Sequence, residues 1–408
     1  PPPAPLAPTP RRLGAARHSL APQRTQSREG PPEAPGGGPC VSLLARLQGL
    51  ARARIAPGAV VPREHAVLPR YVDSKIDTRV IPYPAPVQLP STLLRPVQQG
   101  VNLYRQLPKF ARDLSVLLRN EGIDLVHLNN SITRNHAWMV GARLARVPCI
   151  THERGINPSY SAMSRWLGRG LKAVICISDA VRQNFVDRGV TGLRLTKIYN
   201  GLDPSQLVVH RSPESIRSIF GIGRERRLVL MLGNIKEWKG QESVVRAMAA
   251  VRNAIPDALC LFVGDTAASD QYYRDRLNKL VKELKLGEHV LFTGYQSHVG
   301  DFINASDVVV HASVNPEPFG RVLIEAMALR KPVVGANAGA VPEIIQDEET
   351  GILFPPNDAE RLGAAIIYLL SHPDEARSMG DAGRARLEST FHIDNNTRET
   401  MALYQRLL

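Results

Sequence analysis

The sequence predicts an α/β protein made of two doubly wound domains, and three observations carry that expectation. At 408 residues the chain exceeds what one core ordinarily fills, so two domains of ordinary size are the natural division. Short apolar runs alternate with helical patterns, and the alternation runs twice, once on either side of about residue 203. One stretch, residues 307–330, reads strand, Pro/Gly turn, helix, and carries two carboxylates. The strand ends of both domains are expected to face a cleft, where paired α/β domains bind ligands.

Taken in order, residues 1–35 hold ten prolines and no Val, Ile or aromatic residue. Such a segment cannot bury a core and is expected to be disordered. The first domain then spans 36–203. It opens on Gly36-Gly37-Gly38 and a helical pattern over 41–50. Short strands at 59–61 and 78–82 precede an amphipathic helix over 97–120, with Leu103, Leu107, Phe110, Leu114, Leu117 and Leu118 on one side. Strands at 124–128 and 148–152 flank a helix over 137–145, and the second ends in His152-Glu153-Arg154. A strand at 173–178 leads into a helix capped by Ser178, and 195–199 runs into the turn Asn200-Gly201.

The second domain spans 204–391. Its strands are read at 227–232, 258–263, 290–293, 307–313, 331–335 and 351–354. Helices over 241–255 and 273–286 alternate with them, and another follows Gly320, where Val322, Leu323, Ala326 and Met327 keep helical spacing. Residues 392–408 form a last amphipathic helix.

Composition narrows the classes. No apolar run approaches the roughly 18–20 residues of a membrane-spanning helix. The Pro-rich start has no apolar segment of the kind a secretory signal needs. Cys40, Cys149, Cys176 and Cys260 form no CxxC or Cys/His cluster, so neither a zinc site nor a disulfide framework is expected. A reducing, cytoplasmic setting follows. The net charge of +13 is uneven. Residues 1–203 carry 28 Lys/Arg against 12 Asp/Glu, a balance of +16, and the remaining 23 against 26 give −3. The basic half suggests an anionic partner such as lipid head groups at the inner face of a membrane. No basic run with interleaved aromatics supports nucleic acid.

Three features of the second domain point to one ligand type. The loop 233–240 joins Gly233, Asn234, Lys236, Lys239 and Gly240, with glycines for close backbone approach and Lys239 for phosphate. It matches neither GxxxxGK[ST] nor GxGxxG. Gly294-Tyr295 offers a flat wall for a base. Glu325 can accept from a ribose diol and Glu317 from sugar hydroxyls, while the amides of Phe319, Gly320 and Arg321 form a helix N-terminus suited to an anion. Phosphate, base, ribose and sugar together describe a nucleotide sugar. Alone, the two carboxylates fit equally well a helix merely dressed with charge.

The E-x7-E spacing of Glu317 and Glu325 lies within Glu-Pro-Phe-Gly-Arg-Val-Leu-Ile-Glu-Ala-Met-Ala, followed by Lys331-Pro-Val-Val-Gly335 and Gly339-Ala-Val-Pro-Glu-Ile-Ile345. With Tyr199-Asn-Gly-Leu-Asp203 and the glycine–lysine loop, this resembles the retaining glycosyltransferases of family 4, group 1, which have the two-domain GT-B fold. The resemblance implies that Lys239 binds the donor diphosphate, Glu325 the ribose and Glu317 the transferred sugar. It implies that Gly37 and Gly38 close on the diphosphate and that His152 lies near the reacting carbon, with His127 as runner-up. The last helix would pack back on the N-domain. No metal or other cofactor is expected; the co-substrate is a nucleoside diphosphate sugar and the acceptor a carbohydrate or lipid-linked glycan, as in polysaccharide biosynthesis.

Two departures stand out. Asn234 occupies the place of a usual Arg, which removes one bidentate phosphate contact unless Lys236 substitutes. Residues 26–35 cannot be the apolar strand expected before the glycine loop, so the N-domain sheet is predicted to lack its first strand. A catalytically impaired nucleotide- or carbohydrate-binding paralogue, or a sugar-nucleotide epimerase on the same fold, are the alternative readings.

Overall fold

The computed structural model describes residues 12–16, 47–48, 56–61, 73–74, 76–82 and 107–408. Gly37 and Gly38, and all of 1–35 except 12–16, lie outside the described residues. The chain divides into two compact units, Pro1–Gly201 with Asn396–Leu408, and Leu202–Asn395.

Unit 1 holds strands β1 (Arg12–Ala16), β2 (Ala56–Val61), β3 (Asp77–Val80), β4 (Leu125–Leu128), β5 (Cys149–Glu153), β6 (Ala173–Cys176) and β7 (Leu195–Lys197). Among its described residues lie helices α1 (Leu107–Asn120), α2 (His136–Ala145), α3 (Ala162–Arg169) and α4 (Asp179–Asp187). The strands form one parallel sheet in the order β3-β2-β1-β4-β5-β6-β7. Each of β4, β5 and β6 is buried along its whole length, as a parallel strand covered on both faces must be. That double burial is why these segments read as continuous apolar runs.

The expectation that this sheet lacks its first strand is overturned. Arg12–Ala16 pairs with β2 on one side and β4 on the other. Its sequence, Arg-Leu-Gly-Ala-Ala, has no β-branched or aromatic residue, so propensity gives no sign of a strand. The ladder on both sides supplies what propensity does not.

Unit 2 holds β8 (Arg227–Leu232), β9 (Ala258–Val263), β10 (Val290–Gly294), β11 (Val308–His311), β12 (Val333–Ala336) and β13 (Ile352–Phe354). Its helices are α5 (Pro213–Ile219), α6 (Gln241–Ala254), α7 (Gln271–Glu283), α8 (Val299–Ala305), α9 (Arg321–Ala328), α10 (Val341–Ile344), α11 (Ala359–Ser371) and α12 (Pro373–Arg386). The strands pair in parallel in the order β10-β9-β8-β11-β12-β13. A core of β8, β9 and β11 residues packs with Val244, Met248 and Val251 of α6 and Leu362, Ile366 and Leu369 of α11. Helix α13 (Ile393–Leu407) follows, and its Leu403 and Tyr404 join the unit 1 core with Leu125, Ile150 and Ile175.

In both sheets the strand order reverses once, between β1 and β4 and between β8 and β11. Loops leaving adjacent strands at such a reversal diverge and open a crevice at the carboxyl ends. The loops after β8 and β11 are those that carry Lys239 and Glu317.

Candidate functional site

At the switch point of unit 2 the two loops are bound to each other. The Val314 amide donates to the carbonyl of Trp238 at 2.9 Å. Gly240 makes this approach possible: its φ is 78°, and a Cβ there would collide with the carbonyl oxygen of Ala312. Lys239, on the single turn Glu237–Lys239, thereby comes to Glu317. Its Nζ lies 2.8 Å from Glu317 Oε2 and 4.1 Å from the centre of the Trp238 ring.

Glu317 is fixed through its backbone as well. Its carbonyl accepts from the Ala340 amide at 2.8 Å, and it bridges Gly339, whose φ is 60°. The side chain meets two residues that sequence reasoning missed. Ser313 Oγ donates to Oε2 at 3.1 Å, and His311 Nε2 lies 3.4 Å from the same oxygen. Both were visible only as polar interruptions at the end of an apolar strand. Burial alone would raise the Glu317 pKa. Hydrogen bonding from His311, and the charges of His311 and Lys239, outweigh it and hold the carboxyl well below the usual carboxylate range. The site therefore carries a fixed anion beside a fixed cation.

Helix α9 begins beside it. Gly320, at φ 94°, precedes Arg321 and, as a glycine, offers no side-chain cap of its own. The Phe319 ring is buried and meets Phe391 edge-on, so at Phe319 only the backbone is suited to a ligand. Glu325 is engaged by Arg321, one turn earlier, at 2.9 Å. The guanidinium thus occupies an oxygen that the sequence reading reserved for a ribose.

The remaining predicted residues of this unit, Gly233, Asn234, Gly294 and Tyr295, sit at the ends of β8 and β10. The Gly233 amide donates to Val263 and the Gly264 amide to Gly294. A Cβ at Gly264 would strike the Gly233 carbonyl, so small residues keep these three strand ends open. Asn234 is exposed, and its carbonyl accepts from Gln241 Nε2 at 3.0 Å. Tyr295 is 43% exposed, with its ring available as a stacking wall.

Unit 1 presents a different cluster at the ends of β4 and β5. His152 and His127 are both buried, and their Nδ1 and Nε2 atoms are 2.6 Å apart. From sequence the two are alternatives for one role, whereas the structure makes them partners. Next to His152, Glu153 is fully buried on β5 and receives Ser131 Oγ at 2.8 Å, Asn157 Nδ2 at 2.9 Å and the Ile132 amide at 3.3 Å. Desolvation, only partly offset by these neutral donors, pushes its pKa up to about 7. Arg154 binds Asn129 Oδ1 and, at 2.8 Å, Asn200 Oδ1 of the predicted turn.

Comparison with known proteins finds relatives along both units. Residues 213–386 match the family model described as glycosyl transferases group 1, and residues 37–206 the model described as glycosyltransferase family 4. The N-acetyl-alpha-D-glucosaminyl L-malate synthase of Bacillus anthracis is 25% identical over 309 residues, covering 73% of this chain and 78% of its own. A GDP-mannose-dependent alpha-(1-6)-phosphatidylinositol monomannoside mannosyltransferase of Mycobacterium tuberculosis is 28% identical over 269 residues, 62% of this chain and 68% of its own. In fold, the chain is similar to Anabaena HepE in complex with UDP, with a TM-score of 0.78 at 21% identity over 97% of this chain and all of the other.

Proposed function

The chain belongs to the family 4, group 1 glycosyltransferases with the GT-B fold, and on that premise we propose that it transfers a sugar from a nucleoside diphosphate donor with retention of configuration. The observation that carries this reading is the Lys239–Glu317 pair at 2.8 Å, beside the start of α9. Lys239 and the amides of Phe319, Gly320 and Arg321 take the charge that grows on the diphosphate as the sugar–oxygen bond breaks. Because these fixed charges can take up the developing negative charge, we propose that no metal is required. Glu317 accepts from the hydroxyls of the transferred sugar, and Glu325 from the ribose. Tyr295 and Gly294 flank the base, and Gly233 and Asn234 approach the phosphates. His152 donates to the moving sugar. The acceptor hydroxyl attacks on the leaving-group face and gives its proton to the departing phosphate oxygen.

A lipid-linked or other carbohydrate acceptor at an anionic, inner membrane surface is the reading that the basic first half supports. Exposed Arg143, Arg146 and Lys172 lie in that half, together with Leu144 and with Trp166 under the Arg143 guanidinium. One of the relatives above is named for a phosphatidylinositol-based acceptor. Among the described residues no helix is long and apolar enough to cross a membrane, and the contact we propose is a peripheral one. Sedimentation with anionic liposomes at low salt tests it; absence of binding removes the proposal.

Thermal-shift measurements with UDP, GDP, ADP and their sugars test the donor reading, because a ligand of the native state alone raises the midpoint. Product analysis with donor alone separates transfer from epimerisation. The non-catalytic alternative keeps only the Asn234 departure, since β1 is present in the sheet.

A further inference from the structure

The amino ends of β5 and β6 border a cavity that the residues at the carboxyl ends do not reach. Its volume is about 370 Å³. Its lining comes from unit 1 alone and includes Met139 and Arg143 of α2, Arg146 just past that helix, Leu167 of α3, Lys172 before β6 and Leu407 of α13. Strands β5 and β6 run parallel, with Ile150 opposite Ala173, so His152 and Glu153 lie at the other end of the sheet. The five residues of β5, at about 3.3 Å each, put roughly 15 Å between the two ends.

Three cations and no acid line the cavity. Arg143, Arg146 and Lys172 are exposed, and among the described residues none of these side chains pairs with a carboxylate. Helices α2 and α3 both end here, and basic residues at such ends often do no more than complement the helix dipole. Dipole complement does not account for this group. The Arg146 and Val147 amides already cap Ala142, and the Gly170 amide caps Leu167. Two helix ends carry about half a negative charge each, so three full positive charges leave a strong positive balance. Nor does it account for the apolar surroundings. Met139, Leu167 and Leu407 contribute apolar lining, while Trp166 and Leu144 stand beside the cations 58% and 49% exposed. The Arg143 guanidinium lies 5.6 Å from the centre of the Trp166 ring. Cations with an exposed indole and an exposed branched chain are what a membrane–water interface selects. A soluble phosphorylated ligand would engage the cations and leave Trp166 and Leu144 in water.

We propose that this cavity docks the phosphate head group of an anionic phospholipid, with Trp166 and Leu144 entering the bilayer surface beside it. This rests on the peripheral contact proposed above and gives that contact a place in unit 1, at the amino ends of β5 and β6. The lipid held there is an anchor and not the acceptor. The cavity is larger than a bare phosphate needs and falls within the roughly 300–1,000 Å³ of small-molecule sites, which leaves room for the glycerol that carries the phosphate.

The test is sedimentation of the full chain, at low salt, with vesicles of phosphatidylcholine alone or with added phosphatidic acid. Arg146→Gln/Lys172→Gln removes two charges from the cavity and leaves Arg143 on Trp166. Lys109→Gln/Arg112→Gln removes two exposed charges from α1 and is the matched control. Both pairs lie on the surface, so melting midpoints should stay near that of the wild type. Wild type and control should bind the vesicles with phosphatidic acid within about twofold of each other, and the cavity variant roughly tenfold more weakly or worse. Glycerol 3-phosphate should displace the wild type from these vesicles better than sodium sulfate at equal ionic strength, because screening alone treats the two alike. A wild type that binds neither kind of vesicle removes the peripheral contact and this proposal with it. A wild type that binds, with the two double variants weakened equally or glycerol 3-phosphate no better than sulfate, leaves the contact as diffuse attraction and overturns the pocket. If glycerol 3-phosphate raises the melting midpoint of the wild type alone and no vesicle binds, the cavity serves a soluble ligand and the lipid assignment is wrong.

Discussion

Each unit holds a glutamate near the carboxyl end of a parallel strand, fully buried in unit 1 and half-buried in unit 2, and the two are held in opposite ways. Glu317 in unit 2 has Lys239 and His311 against its carboxyl group, and its pKa lies well below the ordinary range. Glu153 in unit 1 is placed more deeply and meets neutral donors, among them Ser131, Asn157 and the Ile132 amide, and burial pushes its pKa up to about 7. Depth alone would have raised both. The difference is His311 and Lys239 at Glu317, and it separates a carboxylate kept charged from one that burial favours in its neutral form.

The largest expected effect tests the charged member. Glu317→Gln keeps the shape and an acceptor for Ser313 but removes the charge that Lys239 faces. Turnover should fall roughly 100- to 1,000-fold in kcat, the scale of losing one fixed electrostatic group from an active site. Steady-state kinetics on the selected donor decides it. Wild-type turnover in this variant would put Glu317 in the same class as Glu153, and the contrast would collapse.

The second test addresses the buried member through pH. Because the folded pKa of Glu153 is raised from 4.5 to about 7, the native state holds a proton that the unfolded state releases. The associated stability is complete below pH 4.5 and is lost as pH rises through about 7. The difference across that window is about 3 kcal/mol for a group this deeply buried. Denaturant melts at intervals from pH 4.5 to 8 should show this slope in the wild type and not in Glu153→Gln. Glu317 has the opposite sign: its contribution is present above 4.5 and is lost as pH falls through its depressed folded value. A Glu153→Gln protein that retains the slope would assign it to another group.

These contrasts also mark what the sequence made legible. Apolar runs such as 258–263 and 307–313 announced buried parallel strands, because strands covered on both faces tolerate little else. The E-x7-E stretch was legible because the two carboxylates and the helix start are local. The Lys239–Glu317 contact joins residues 78 apart, and the Tyr404–His127 contact residues 277 apart, so both depend on strand order, which no local pattern encodes. Strand β1 was illegible for another reason. Arg-Leu-Gly-Ala-Ala has neither alternation nor branched side chains, and pairing with β2 and β4 is what makes it a strand. His311 and Ser313 were in view as letters of an apolar strand, but nothing local told which face they take.

The third test asks whether the backbone matters as much as the charge. Glu153 is held within a strand, whereas Glu317 stands on a loop pinned by Gly339. With φ at 60° and the Glu317 backbone where a Cβ would go, Gly339→Ala cannot be accommodated without moving the loop. A loss of about 2 kcal/mol in stability is expected, accompanied by lower donor affinity. If chemical denaturation shows the cost but donor binding is unchanged, the loop's position is not what equips Glu317 for ligand.

The smallest effect bears on Glu325. Arg321 and Glu325 form an i,i+4 pair on α9, with side chains 22% and 13% exposed. Pairs of this kind contribute about 0.3–0.5 kcal/mol, so loss of the Arg321–Glu325 pair itself should lower stability by about that much. The same substitution frees the carboxylate that we assign to the ribose. If the pair is only helix dressing, nucleotide affinity will follow stability and barely move. If Glu325 accepts from the ribose, the Arg321 guanidinium both orients and competes for it, and nucleoside diphosphate affinity should shift severalfold while the melting midpoint stays nearly still. Calorimetric titration of Arg321→Ala beside Glu325→Gln separates these outcomes, because only the ribose reading makes the second variant weaker for nucleotide than its stability loss can explain.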